Sequence, residues 1–216
     1  MQSETARPWA YLTWPNRLSL LRLMLVAPFV VLLQNHQAQP VYRYLAIGLF
    51  AFMAASDVID GFLARRLNCK SRLGAILDPL ADKTLIVCAV VLLSMPGSAV
   101  KGTTLPGWVV VMIVGKDLWV IAGFLIIFLL TGSVRVLPSW PGKICTAGQV
   151  AMVAAVLISP ELNLLGLSVG THLAMVLWYA VAGFCALSVV SYTRIGLTFV
   201  AEADSNRHND RTDRNM

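Results

Sequence analysis

The chain has 216 residues, 57% of them hydrophobic and only 13% charged, with a formal net charge of +6 and a mean hydropathy of +0.72. A soluble domain typically carries about 25% charged residues, so this composition excludes a single soluble core. The length fits one domain, and the apolar residues fall in long blocks rather than in a helical or strand stripe, the pattern of membrane-spanning helices.

Six apolar blocks are predicted in chain order, spanning residues 18–33, 41–62, 74–95, 107–130, 146–158 and 172–199. The first follows Arg7, Trp9, Trp14, Pro15 and Arg17 and has no small-residue cleavage site after it, so it is not read as a cleavable signal peptide. Turn-rich polar connections are expected at 34–40, 96–106, 132–142 and 159–170, with Pro160 cutting the fifth block short. From Ala201 onward the chain is polar, and residues 201–216 are expected to form a disordered tail behind a membrane domain of residues 1–200. Cys69, Cys88, Cys145 and Cys185 show no CxxC spacing and predict neither a disulfide framework nor a zinc site. The expected fold class is all-α, a polytopic bundle of six transmembrane helices.

Orientation follows from Lys and Arg placement. With six spans both termini share a side, and that side holds Arg7, Arg17, the loop from Arg65 to Arg72, Arg135, Lys143, Arg194, Arg207, Arg211 and Arg214. The other side holds little beyond Arg43 and Lys101. Both termini are therefore expected in the cytoplasm.

The second and third blocks carry acids that hydropathy does not explain: Asp57, Asp60, Asp78 and Asp82. A carboxylate at bilayer depth costs a few kcal/mol and usually faces a bundle interior or a cavity. At about 100° per residue, Asp57 and Asp60 lie about 60° apart on one helix, and Asp78 and Asp82 about 40° apart on the next. A short basic loop makes the two helices antiparallel neighbours, so the four carboxylates can converge near the cytoplasmic end. Hard oxygen ligands without His or Cys favour Mg²⁺, Mn²⁺ or Ca²⁺ over zinc or copper. Four negative charges match two divalent ions, a known clamp for phosphoryl displacement. Gly61 and Gly74 remove side chains where a ligand approaches closely, and Ala64 keeps the same face shallow. Arg65 has a fork that suits a phosphate or diphosphate, and Ser71 can donate to one. A single Asp in such a helix reads equally well as an inter-helix hydrogen-bond partner or a step in an ion path. Four Asp with two Gly, an Ala and an Arg in register do not.

The stretch Asp57-x2-Asp60-Gly61-x2-Ala64-Arg65-x8-Gly74-x3-Asp78-x3-Asp82 resembles the full motif of the CDP-alcohol phosphatidyltransferases, with every position filled. Trp14-Pro15-Asn16-Arg17-Leu18 resembles the family's Pro-Asn opening, and Ser139-Trp140-Pro141-Gly142-Lys143 with Thr146 and Gln149 resembles its segment before the fifth span. The resemblance covers roughly residues 12 to 195 and implies a homodimeric membrane enzyme that passes the phosphatidyl group of CDP-diacylglycerol to an alcohol and releases CMP. It implies that Asp57, Asp60 and Asp78 bind one Mg²⁺ or Mn²⁺ and that Asp57, Asp78 and Asp82 bind a second. Asp82 would also be the general base. Gly61, Ala64, Arg65, Ser71 and Gly74 would line the CDP moiety, with Asn16 a further nucleotide-side candidate. The implied place is a bacterial inner membrane, with the site facing the cytoplasm and no nucleic-acid partner.

Lys116, Arg135 and Lys143 are candidates to bind a phosphate on the acceptor, which favours glycerol 3-phosphate; Lys116 can instead simply pair with its neighbour Asp117. The Lys116-Asp117 pair, where the glycerol 3-phosphate branch usually has Arg-Glu, looks more like the cardiolipin synthases of the same family, whose acceptor is phosphatidylglycerol. An ion-coupled transporter is the non-enzyme reading. It predicts acids spread through the membrane depth and broken helices in two matching halves, whereas these acids cluster on two adjacent helices.

Overall fold

The structure, a computed structural model, describes residues 14–67, 74–131, 140–164, 166 and 168–213; the side chains of residues 14–17, 60–67, 74–79, 128, 130, 131 and 199–213 lie outside that description. Where water is absent, a chain must satisfy its backbone polar groups within each segment, and the helix does so. The described residues accordingly form six α-helices and no strand: α1 (Trp14–Asn35), α2 (Pro40–Leu67), α3 (Gly74–Ser94), α4 (Gly107–Thr131), α5 (Trp140–Asn163) and α6 (Val169–Asp213). Proline sits in the first turn of α1, α2 and α5, at Pro15, Pro40 and Pro141, where its missing N–H removes no helical bond.

Five helices contain stretches long and apolar enough to cross a membrane among the described residues: Leu18–Asn35, Pro40–Ile59, Gly107–Ile127, Trp140–Asn163 and Val169–Thr198. The sixth, α3, is also 21 residues long and carries Asp78, Asp82 and Lys83 in its first half. The protein is an all-α polytopic membrane bundle.

Two helices outrun the sequence expectation. Pro160 does not end α5, which continues to Asn163. Proline in a helix leaves the carbonyl four residues earlier without its N–H partner. Here that carbonyl is Val156, and the Ser159 hydroxyl donates to it at 2.8 Å. The residue beside the proline thus supplies the missing donor. The second difference is at the end of α6, which is helical to Asp213 where a disordered tail is expected from Ala201. No Gly or Pro follows Gly196 to stop it, and extending an existing helix needs no new nucleus.

The chain forms two compact units, Met1–Pro106 with Val153–Ala174, and Gly107–Met152 with Met175–Met216. In the first, α1 packs against both α2 and α3. Phe29 of α1 meets Phe50 of α2 at 5.9 Å between ring centroids, and Leu33, Met53 and Leu93 of the same three helices are also buried. Gln37 donates to the carbonyls of Pro96 and Ala99, holding the α1–α2 connection to the end of α3. Arg43 of α2 pairs with Glu161 of α5. Gly170, at the start of α6, lies so close to α5 that an added Cβ would stand 2.3 Å from the Ser159 carbonyl oxygen.

In the second unit, Trp108 stacks near Tyr179 and the Trp119 indole donates to Thr193 at 3.0 Å, so α4 and the body of α6 run parallel. Cys145 and Cys185 face each other at 3.2 Å, and Gly148 packs on Val181, so α5 and α6 run antiparallel. Val111, Leu118, Ile121, Leu125 and Leu129 of α4 are exposed apolar side chains, as suits a surface solvated by lipid.

Candidate functional site

The geometry of the first unit brings two of the four acids to one point. α1 and α2 run antiparallel: Arg22 meets Asp57, and Phe29, two turns on, meets Phe50, two turns back. α1 and α3 run parallel: Arg22 meets Asp82, and Gln37 reaches the carbonyl of Pro96. A side chain leaving α1 at position 22 therefore finds residue 57 on one neighbour and residue 82 on the other at the same level. The guanidinium Nη1 of Arg22 donates to Asp57 Oδ1 at 3.1 Å and to Asp82 Oδ1 at 2.5 Å. One nitrogen with two hydrogens can serve both acceptors.

The backbone carries the other two acids to the same end. Asp60 lies about 4.5 Å further along α2 than Asp57, and Asp78 about 6 Å back along α3 from Asp82, at 1.5 Å per residue. Because α2 and α3 run oppositely relative to α1, both displacements point the same way, toward the start of α1. The side chains of Asp60 and Asp78 lie outside the described residues, as do those of Asn16, Gly61, Ala64, Arg65 and Gly74, whose backbones belong to α1, α2 and α3. Ser71 and Arg135 lie outside the described residues altogether.

Burial is uneven across this centre. The Arg22 side chain is 2% exposed, while Asp57 and Asp82 retain 46% and 31%. The cation forms the floor and the carboxylates keep open faces. These features fit divalent cations. The donors are hard carboxylate oxygens brought close together from two helices, Asp57 of α2 and Asp82 of α3, and both side chains stay partly exposed.

The acceptor candidates of the second unit have different surroundings. Lys116 is buried in α4, and its Nζ lies 2.8 Å from Asp117 Oδ1, an ion pair between sequence neighbours. Cys145, Cys185 and Gln149 add further buried polar groups within the same unit. Lys143 is exposed, 5.6 Å from the centre of the Trp140 ring.

Sequence reasoning missed Arg22. The signal was present: an Arg five residues into the first apolar block is an intramembrane charge, and such a residue is a functional candidate by default.

A family model described as CDP-alcohol phosphatidyltransferase matches residues 12–186. Among curated proteins, the chain is 37% identical over 193 residues to the "Probable phosphatidylglycerophosphate synthase" of Mycobacterium tuberculosis strain CDC 1551, covering 87% of this chain and 80% of that one. It is 30% identical over 154 residues to the CDP-diacylglycerol–glycerol-3-phosphate 3-phosphatidyltransferase of Bacillus subtilis strain 168, covering 67% and 76%. It is also 30% identical over 212 residues to the cardiolipin synthase (CMP-forming) of Rattus norvegicus, covering 90% of this chain and 64% of the relative.

Proposed function

This chain belongs to the CDP-alcohol phosphatidyltransferase family, and on that premise we propose that it transfers the phosphatidyl group of CDP-diacylglycerol to glycerol 3-phosphate, releasing CMP. Phosphatidyl transfer in phospholipid synthesis is the activity of the family, and the chain is a transferase with multiple membrane helices. The observation that supports this site for the chemistry is the convergence of Asp57 and Asp82 on one cationic nitrogen, within the family motif. The choice of acceptor rests on the phosphatidylglycerophosphate synthase relative, whose match covers 87% of the chain.

In this reading Asp57, Asp60, Asp78 and Asp82 hold two divalent cations, Mg²⁺ or Mn²⁺. When bound, these neutralise the charge that develops on the diphosphate. The acceptor hydroxyl attacks the phosphorus that carries diacylglycerol, and the bond to the CMP phosphate oxygen breaks. Asp82 takes the hydroxyl proton. It belongs to a helix rather than a loop, is anchored by Arg22, and keeps an exposed face toward an incoming hydroxyl. Gly61, Ala64, Arg65, Ser71, Gly74 and Asn16 receive the CDP group. Residues 1–200 make up the catalytic domain of a homodimer. The basic side of the bundle, with both termini and the site, faces the cytoplasm of a bacterial inner membrane.

The test is an acceptor screen. Purified protein in mixed micelles is given labelled CDP-diacylglycerol, Mg²⁺ or Mn²⁺, and one acceptor at a time. Glycerol 3-phosphate should yield phosphatidylglycerophosphate and stoichiometric CMP, and EDTA should stop both. CMP release with no acceptor but phosphatidylglycerol would replace the glycerol 3-phosphate assignment with cardiolipin synthesis. That second reading is favoured by the Lys116–Asp117 ion pair, which neutralises a candidate phosphate-binding cation, and by the rat relative. Labelling Cys69 with a membrane-impermeant maleimide in oriented vesicles tests the topology: reaction from the periplasmic face would overturn it. Light scattering of the detergent-solubilised protein tests the dimer, which a monomer mass would refute.

A further inference from the structure

Arg22 is the largest fully buried side chain among the described residues, and it stands in an otherwise apolar stretch of α1. A buried cation without compensation would destabilise the bundle severely. Among the groups it pairs with are two oxygens, Asp57 Oδ1 and Asp82 Oδ1, that belong to the proposed metal centre. A carboxylate oxygen that accepts a hydrogen bond from a guanidinium has fewer lone-pair directions left for a cation, and the guanidinium charge repels a divalent ion at the same place. Asp57 and Asp82 stay partly exposed while Arg22 is enclosed, so a cation can reach the carboxylates without displacing the arginine from the interior.

Resting on the metal reading of the site, we propose that Arg22 is a built-in counter-ion of the acidic centre: it holds Asp57 and Asp82 together and competes with divalent cations for them. Arg22 is then a positioning residue. It keeps two helices that carry like charges from separating, and it gives up part of its pairing when metal binds. The arrangement sets metal affinity below what four carboxylates alone would give, so that the centre is preassembled yet exchangeable.

The competition is measurable without turnover. Mn²⁺ binding to the detergent-purified full chain is followed by the electron paramagnetic resonance signal of free Mn²⁺, for wild type, Arg22→Gln and Arg22→Lys. Competition predicts that Arg22→Gln binds Mn²⁺ on the order of tenfold more tightly. Its metal-free form should melt below wild type, and Mn²⁺ should raise its melting temperature by more than it raises that of wild type. Arg22→Lys keeps the charge but not the fork and should fall between the two; it carries the comparison alone if the Gln variant does not fold. A merely structural arginine would lower the melting temperature with no gain in Mn²⁺ affinity, and that result overturns the proposal. Equal affinity in all folded variants overturns it as well, while leaving the metal centre standing. No Mn²⁺ binding by any of them, wild type included, refutes the metal reading and this inference together.

Discussion

Replacing Asp82 by Asn is the most direct probe of the proposed mechanism. The substitution keeps the shape of the side chain and one oxygen that can still accept from Arg22 Nη1, now 2.5 Å from Asp82 Oδ1. It removes the negative charge and the capacity to take a proton. A general base contributes about 10²- to 10⁴-fold to rate, and the lost carboxylate also weakens metal binding, so kcat should fall by at least about 10³-fold. The structural cost is smaller. Asp82 is 31% exposed and Arg22 retains Asp57, so the loss is that of an ion pair becoming a hydrogen bond from the guanidinium to a neutral amide oxygen, about 1–2 kcal/mol. The assay is single-turnover release of labelled CMP at saturating acceptor, with the folded fraction verified by thermal unfolding in detergent. A folded Asp82→Asn protein with wild-type kcat would refute both the base assignment and the claim that this carboxylate belongs to the reacting centre.

Asp57→Asn should likewise lose activity by about two orders of magnitude or more while raising the Mn²⁺ concentration needed for half-maximal rate; an unchanged metal requirement would remove Asp57 from the centre. Arg43→Gln breaks the pair with Glu161 and should lower stability by about 1 kcal/mol with kcat unchanged, because position 43 is about 21 Å along α2 from Asp57; a large kcat loss in folded protein would contradict that separation. Gly170→Ala places a Cβ against the Ser159 carbonyl and should cost about 1–3 kcal/mol by overpacking, read as a lower melting temperature; a neutral result would mean that α6 does not start against α5. Ser159→Ala strands the Val156 carbonyl at the proline and should cost about 1 kcal/mol, with Ser159→Thr closer to wild type. Mild oxidation by copper–phenanthroline should join Cys145 to Cys185, 3.2 Å apart, and shift mobility on a non-reducing gel; the same shift in Cys145→Ser would refute the pairing.

Much of this protein is determined by sequence-local physics. Long apolar blocks have to become helices because lipid offers no hydrogen bonds, and among the described residues six helices form, five of them with stretches apolar enough to span a membrane. Asp57, Asp60, Asp78 and Asp82 stand out because charge is costly at that depth, and their spacing on two helices is fixed by helical geometry alone. Pro160 shows where local rules stop: proline predicts a helix end, yet the Ser159 hydroxyl supplies the missing donor and α5 continues. Sequence periodicity places Asp57 and Asp82 on helix faces but does not say what lies between those faces. The tertiary structure decides that α1 packs against both helices, antiparallel to one and parallel to the other, and so sets Arg22 between acids 35 and 60 residues away. Two of the acids that the sequence matches only to divalent ions thereby have a cation of the protein's own between them. The reason is physical: the cost of a buried charge is set by its neighbours in space, and chain order does not name them.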